Sequence, residues 1–184
     1  MWGTPMRVEI VIEKLTDDRI LRRACDMTRK AGMVPSQMTL EKIYRCEHSP
    51  IRTQQFWIEL RGIETFVSVH LVRHKIGLEH YVESNRDDRG GTGKEDRYTP
   101  VNHGMLANAQ ALIAMGQKRL CYASHPRTVA TYMKLKKAMR HVDPALSNAL
   151  VPACVYRNGI CPELRECKPG LEAVMKAYRK EKAK

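Results

Sequence analysis

Alternating apolar and charged residues predict two strands in the first third of the chain. The alternation runs through residues 6–15, MRVEIVIEKL, and again through residues 55–62, QFWIELRG. A period of two residues is typical of a strand with one buried face. The apolar residues that share a face in these segments are Val8, Ile10, Ile12, Phe56, Ile58 and Leu60.

Helical spacing accounts for most of the remaining chain. Asp17 or Asp18 is suited to cap the first helix and Gly32 to end it, while Ser36 or Thr39 is suited to open the second. Apolar residues three and four positions apart predict the later helices. The predicted helices cover residues 20–32, 39–46, 62–75, 102–121 and 126–141, a short segment after 143–144, and residues 171–184.

Two segments lack both periods. Residues 84–100, SNRDDRGGTGKEDRYTP, are polar and glycine-rich and are predicted to form a mobile loop. Residues 151–170 are irregular and contain three cysteines. Because the chain has no internal repeat and its length suits one buried core, residues 1–184 are predicted to form a single α+β domain.

Composition narrows the class of protein. Hydrophobic residues make up 43% and charged residues 28%, as in an ordinary globular protein. No segment approaches the roughly 20 apolar residues of a membrane span, and no apolar run follows a basic start as in a secretory signal. We therefore expect a cytoplasmic protein, in which the six cysteines are reduced thiols or metal ligands.

The net charge of +12 indicates an anionic partner. It suits nucleic acid and phosphorylated small molecules equally well. The cationic run Arg73-His74-Lys75 closes a predicted helix, and Ser84 and Arg86 follow on the polar segment. One interpretation is that these side chains are solvated and that their positive charges interact favourably with the C-terminal end of the helix dipole. The run can also be a phosphate site, because guanidinium groups grip phosphate bidentately.

These motifs resemble the flavin-dependent thymidylate synthases. That family carries Arg-His-Arg, then seven residues, then a serine with an arginine two positions later. Here eight residues separate Arg73-His74-Lys75 from Ser84-Asn85-Arg86. Further downstream, Asn108-Ala109-Gln110 is similar to the family's Asn-Ala-Arg, and Arg119 keeps its spacing of eleven residues. The segments CEHSP and RRACDMT resemble two upstream family motifs and include Ser49 and Thr28.

The resemblance implies a small antiparallel sheet packed with several helices. It also implies reductive methylation of dUMP to dTMP, with bound FAD, NADPH and methylenetetrahydrofolate, in a homotetramer whose sites lie between subunits. The implied nucleotide-binding residues are Arg73, Ser84, Arg86 and Arg119, of which Ser84 and Arg119 are the catalytic ones. The implied FAD-binding residues are Thr28, Ser49, Arg73, His74, Lys75 and Asn108.

Several positions depart from the family pattern, among them Lys75 and Gln110, where the family has arginines. These departures leave two alternatives open. One is a related flavin-dependent modification of another pyrimidine nucleotide. The other is a nucleic-acid-binding protein that kept the fold without the chemistry, an alternative favoured by the basic C-terminal segment RKEKAK.

Two groups of residues have the composition of metal ligands. His70 and His74 stand four positions apart on one predicted helical face, a spacing that can bind zinc. Cys154, Cys161 and Cys167 lie within fourteen residues. Because no third ligand accompanies the histidines, and because free thiols account for the cysteines, we predict no metal site. The alternative for the cysteines is a metal site, in which Cys121 or His125 can supply the fourth ligand.

Overall fold

The computed structural model of the protein describes residues 8–28, 30, 38–94 and 96–182. The predicted helix stop at Gly32 and the alternative start at Ser36 lie outside these residues. The strands are β1 (Glu9–Lys14), β2 (Gln55–Glu64), β3 (Leu78–Val82) and β4 (Pro100–Asn108). The α-helices are α1 (Asp18–Met27), α2 (Leu40–Cys46), α3 (Thr65–Leu71), α4 (Ala109–Arg119), α5 (Pro126–Val142), α6 (Pro144–Ala149), α7 (Ala153–Tyr156) and α8 (Leu171–Lys182), with 3₁₀ helices at Ser49–Thr53 and Asp87–Arg89.

The four strands form one antiparallel sheet in the order β1-β2-β4-β3. The two strands predicted from alternation are confirmed as neighbours. Their apolar positions face each other in register, with Ile10 opposite Leu60 and Ile12 opposite Ile58. Because a shift of one residue would turn this apolar face towards solvent, the alternation also determines the register. The protein is therefore an α+β domain with a small antiparallel sheet, as predicted.

The predicted helix over residues 102–121 is wrong in its first part, which forms β4. Alternate residues of β4 are buried, but one of them is His103 and another is the small Ala107, so the apolar alternation is weak. The helix begins only after Asn108, whose Oδ1 accepts a hydrogen bond of 2.9 Å from the backbone N–H of Ala111. The edge strand β3 was also missed, since only Leu78 among its residues is buried.

The helix predicted from Gly62 to Lys75 is shorter at both ends. β2 continues to Glu64 through a register shift between Leu60 and Ile63. Gly62 occupies this bulge with a φ of +69°, a conformation that costs glycine little. Ile63 therefore belongs to the sheet, and His74 lies beyond the end of α3.

The main core lies between the sheet and the helices that cover it. Its largest fully buried side chains come from the strands and from α1, α2, α3, α4 and α5, and they include Leu21, Tyr44, Phe56, Ile58, Leu60, Met105, Leu112 and Tyr132. A second, much smaller cluster lies in the C-terminal part and contains Val151, Cys154, Val174 and Tyr178. In the part of the chain that the structure describes, no helix is long and apolar enough to cross a membrane.

A buried carboxylate joins distant parts of the chain. Asp143, only 2% exposed, accepts hydrogen bonds of 2.8 Å from both the Lys14 ammonium and the Tyr44 hydroxyl. Its other oxygen caps α6 by accepting from the backbone N–H of Leu146 at 2.9 Å. Burial opposes the charge on Lys14, but the hydrogen bonds to Asp143 and Asp18 prevail and raise its pKa. Asp143 thus connects β1, α2 and α6.

Candidate functional site

His74 and Arg119 form the centre of a cationic cluster at the ends of two helices. His74 follows the end of α3, and Arg119 is the last residue of α4. The Arg119 Nε–H donates to Nε2 of His74 at 2.9 Å. Burial, with the nearby charges of Arg119 and His80, lowers the pKa of His74 to about 4. His74 is therefore neutral near pH 7, with its proton on Nδ1.

Arg73 adds a second guanidinium beside Arg119. Burial and the charge of Arg73 both lower the pKa of Arg119. Arg73 and Lys75 are exposed, whereas His74 and Arg119 are partly buried. Like charges held together are costly unless an anion offsets them. The predicted residues Arg73, His74 and Arg119 are thus brought together into a site that suits a phosphate or a carbonyl oxygen.

Asn108 is held against the turn that follows Lys75. Its backbone N–H donates to the carbonyl of Gly77 at 3.1 Å. Gly77 has a φ of +73°, and a Cβ there would stand 2.4 Å from Nδ2 of Asn108. Only glycine allows this close approach. Although 65–77 and 108–119 are distant in sequence, the structure places the beginning of α4 beside the Arg-His-Lys motif.

A chain of hydrogen bonds connects the cluster to the core. His80 Nε2 is 2.7 Å from the carbonyl oxygen of His74, and its Nδ1 is 2.9 Å from Nε2 of His103. Nδ1 of His103 lies 2.9 Å from the Ser68 hydroxyl. Since a carbonyl only accepts, His80 donates from Nε2; in the neutral chain His103 then donates to His80, and Ser68 donates to His103. Ser68, His80 and His103 were not predicted as functional residues. For His103 the reason is that β4 was predicted to be helical.

Because of this buried chain of hydrogen bonds, the free energy of unfolding is expected to decrease as the pH is lowered. Burial and the charge of His80 lower the pKa of His103 from 6.5 to about 4. Between these values the unfolded chain binds more protons, so the free energy of unfolding is highest above about pH 7 and decreases towards pH 4. For His103, which is 1% exposed, the loss from about pH 7 to about pH 5 is on the order of 2 kcal/mol.

Urea unfolding of the wild type and His103→Gln at several pH values measures this effect. Glutamine cannot be protonated, so the variant should be less stable at pH 7 but should lose less stability on acidification. Equal slopes in the two proteins would contradict the assignment to His103.

Ser84 and Arg86 lie on the loop after β3 and are not joined to the cluster within this chain. The Ser84 hydroxyl accepts from the backbone N–H of Arg86 at 3.4 Å. Arg86 donates to both oxygens of Asp88, at 2.8 and 2.6 Å. The loop is ordered by its own hydrogen bonds, including one of 2.8 Å from the Asn85 amide to the carbonyl of Lys94. An incoming phosphate would compete with Asp88 for Arg86.

Thr28 and Ser49 lie on other elements. Thr28 ends α1 and donates to the carbonyl of Cys25 at 2.7 Å, and Ser49 begins a 3₁₀ helix; both are exposed. Within the described ranges, no hydrogen bond or ion pair joins them to His74 or Arg119. One chain therefore brings together Arg73, His74, Asn108 and Arg119, and among the described residues no hydrogen bond or ion pair joins these four to Thr28, Ser49, Ser84 or Arg86.

Glu47, in the CEHSP segment, is a further candidate site residue, and no role was predicted for it from the sequence. It ends α2 in the left-handed conformation, with φ of +49°. Its carboxylate accepts from the amide of Gln110, and a hydrogen bond to it raises the pKa of Tyr156. The other oxygen, Oε1, is buried without a partner, which is costly unless a donor arrives. The CEHSP segment and the start of α4 therefore meet at an unsatisfied acceptor.

The two histidines whose spacing could bind zinc have other partners. His70 Nδ1 lies 2.9 Å from the Thr128 hydroxyl, and His74 binds Arg119, so the two rings do not share a ligand site. His125 caps α5 and packs edge-on against Phe66, with 4.7 Å between ring centroids. His125 therefore has partners other than the cysteines. Over the ranges that the structure describes, no three His, Cys, Asp or Glu side chains already stand at metal-ligand spacing.

Solved structures share this fold. The UMP/dUMP methylase PolB from Streptomyces cacaoi, bound with 5-Br dUMP, has a TM-score of 0.56 and 16% identity, over 78% of this chain and 95% of its own. Thymidylate Synthase X from Helicobacter pylori, with FAD and dUMP, has a TM-score of 0.61 and 12% identity, over 76% and 99%. No family model and no curated protein matches the sequence. At these identities the likeness establishes a ThyX-like fold.

Proposed function

We propose that this protein is a flavin-dependent enzyme that methylates a pyrimidine nucleoside monophosphate, with dUMP as the first substrate to test. The observation that carries the proposal is the Arg119–His74 pair with Arg73 beside it, on a fold shared with proteins that were solved with dUMP or its bromo analogue. Two guanidinium groups close enough to influence each other suit a phosphate and a pyrimidine carbonyl.

Three arginines would hold the nucleotide. Arg119 is fixed in direction by its hydrogen bond to His74, which leaves its terminal nitrogens free to donate to an oxygen of the base or the phosphate. Arg73 supplies charge beside it. Arg86 would exchange Asp88 for the phosphate, with the Ser84 hydroxyl as a further donor. Arg119 would stabilise negative charge on the pyrimidine, which is how it would act in catalysis.

The residues present fit a flavin. Arg73, His74, Lys75 and Asn108 would be this chain's contribution to an FAD site, and the unsatisfied Oε1 of Glu47 offers an acceptor for a ring N–H. When bound, FAD supplies the reducing equivalents, with NADPH as reductant and methylenetetrahydrofolate as carbon donor. The protein's residues position the rings and exclude water.

Self-association would complete the site. Thr28 and Ser49, expected at the flavin, have no hydrogen bond to His74 among the described residues, which suits a site where a neighbouring chain supplies them. Ile76, which is 93% exposed, follows the Arg-His-Lys motif directly, and Tyr81 and Val82 on the edge strand β3 are also exposed. Exposed apolar side chains around a split site favour a homo-oligomer, which we propose is the homotetramer.

Binding of FAD tests the proposal. Titration of the assembled protein with FAD should quench flavin fluorescence at micromolar protein concentration. Lys75→Ala should weaken binding about tenfold, because it removes one charged contact. Lys42→Ala, an exposed lysine on α2, is the matched control and should bind as the wild type does. Failure of the wild-type oligomer to bind FAD would refute the flavin proposal.

A nucleic-acid-binding protein is the second candidate, and one surface favours it. A groove of about 400 Å³ beside α5 is lined by the exposed cations Lys134, Lys137 and Arg140, together with the buried Lys136. The three exposed cations suit a phosphate backbone. Purified protein that carries no flavin and binds single- or double-stranded DNA with a steep salt dependence would support this candidate over the enzyme. UMP and dCMP, tested beside dUMP, would reveal a related pyrimidine-modifying activity.

A further inference from the structure

Four of the six cysteines line one small cavity in the C-terminal part of the molecule. They are Cys121, from the turn after α4, Cys154, from α7, and Cys161 and Cys167, from the irregular segment between α7 and α8. Their spacing in the sequence does not reveal this, because Cys121 lies thirty-three residues before Cys154. The remaining two, Cys25 and Cys46, lie elsewhere, and all six are free thiols.

The lining of the cavity is rich in sulfur. Its volume is about 10 Å³, close to the space that a single water occupies. Besides the four cysteines, the lining includes apolar residues such as Pro152 and Val174 and two acidic residues, Glu163 and Glu166. Soft sulfur ligands around one small space suit a thiophilic cation such as Zn²⁺.

The segment that contains Cys161 and Cys167 has few other features that would stabilise its conformation. Residues 157–170 contain neither helix nor strand. Leu164 is fully exposed and Ile160 is 68% exposed. The adjoining hydrophobic cluster has only four buried residues. Chain segments with so small a core are commonly stabilised by a disulfide or a structural metal.

We propose that Cys121, Cys154, Cys161 and Cys167 bind one structural Zn²⁺, which ties the C-terminal segment to the end of α4. Tetrahedral coordination requires sulfurs about 3.8 Å apart, which follows from a Zn–S distance of about 2.3 Å. The four thiols do not stand at that spacing here, so binding draws them together by rotation about χ1 and a shift of the irregular segment. The proposal is independent of the chemistry at the Arg119–His74 cluster.

Metal content and cobalt spectroscopy test the site. Wild-type protein, expressed with zinc and purified under reducing conditions, should contain about one zinc per chain by elemental mass spectrometry. Cys161→Ser and Cys167→Ser should each reduce zinc to a small fraction of that. The double variant Cys25→Ser/Cys46→Ser is the matched control and should retain it. Removal of zinc by a chelator should lower the unfolding temperature of the wild type and the control.

Binding of Co²⁺ to the wild-type protein tests the site even if the cysteine variants fail to fold. Wild-type protein freed of zinc and flavin should bind Co²⁺ with the visible bands of a tetrahedral ion and a thiolate-to-cobalt charge-transfer band. Purified wild type without zinc that also lacks these bands would overturn the proposal. So would disulfides among the four cysteines in the native protein, iron in place of zinc, or equal loss of zinc in the Cys25/Cys46 control.

Discussion

Replacing Arg119 with alanine is expected to weaken dUMP binding about a hundredfold. The side chain is partly buried and is held by its hydrogen bond to His74 at 2.9 Å. Loss of a charge-assisted contact to a buried anionic or carbonyl oxygen costs about 2–3 kcal/mol, which corresponds to that factor. Isothermal titration calorimetry of the FAD-loaded protein with dUMP measures the change.

The expected selectivity separates a binding role from a structural one. Arg119→Ala should leave FAD affinity nearly unchanged, and Arg119→Lys should bind dUMP with intermediate affinity because it keeps the charge but loses the planar fork. Arg179→Ala is the matched control, because it removes an arginine charge from an exposed position on another helix, α8. This variant should bind dUMP normally. Equal dUMP affinity in Arg119→Ala and the wild type would remove this residue from the site.

Replacing Asp143 with alanine is expected to lower the free energy of unfolding by about 3–5 kcal/mol. The substitution leaves the buried Tyr44 hydroxyl without its acceptor, leaves the part-buried Lys14 ammonium with Asp18 as its remaining partner, and removes the cap of α6. Losing several buried interactions at once is far more costly than losing one exposed ion pair. Urea-induced unfolding, followed by circular dichroism, measures the difference.

Asp88→Ala is the matched control for this loss. It breaks the ion pair with Arg86, but both side chains are more than half exposed, so the cost should stay below about 1 kcal/mol. Lys14→Met in the Asp143→Ala background should recover part of the stability, because it removes a part-buried charge that has lost its buried partner. A cost for Asp143→Ala as small as that of Asp88→Ala would show that water reaches this carboxylate.

The strands β1 and β2 were predictable because their apolar residues alternate strongly, and β4 was not because His103 and Ala107 occupy two of its inward positions. His103 is buried by virtue of its hydrogen bonds to Ser68 and His80, which belong to a helix and to another strand. Apolarity therefore gives no sign that the residue faces inward. The same strand displaced the predicted start of α4 by seven residues.

By itself, the sequence determined the elements with strong local periodicity and the α+β class, and it predicted phosphate-binding roles for Arg73 and Arg119. The tertiary structure alone decided which of them meet: His74 with Arg119, Glu47 with Gln110, Asp143 with Lys14, and four cysteines around one cavity. The reason is physical. Periodicity reports which face of an element is buried, whereas contacts between elements depend on strand order and on polar groups that find partners far away in the chain.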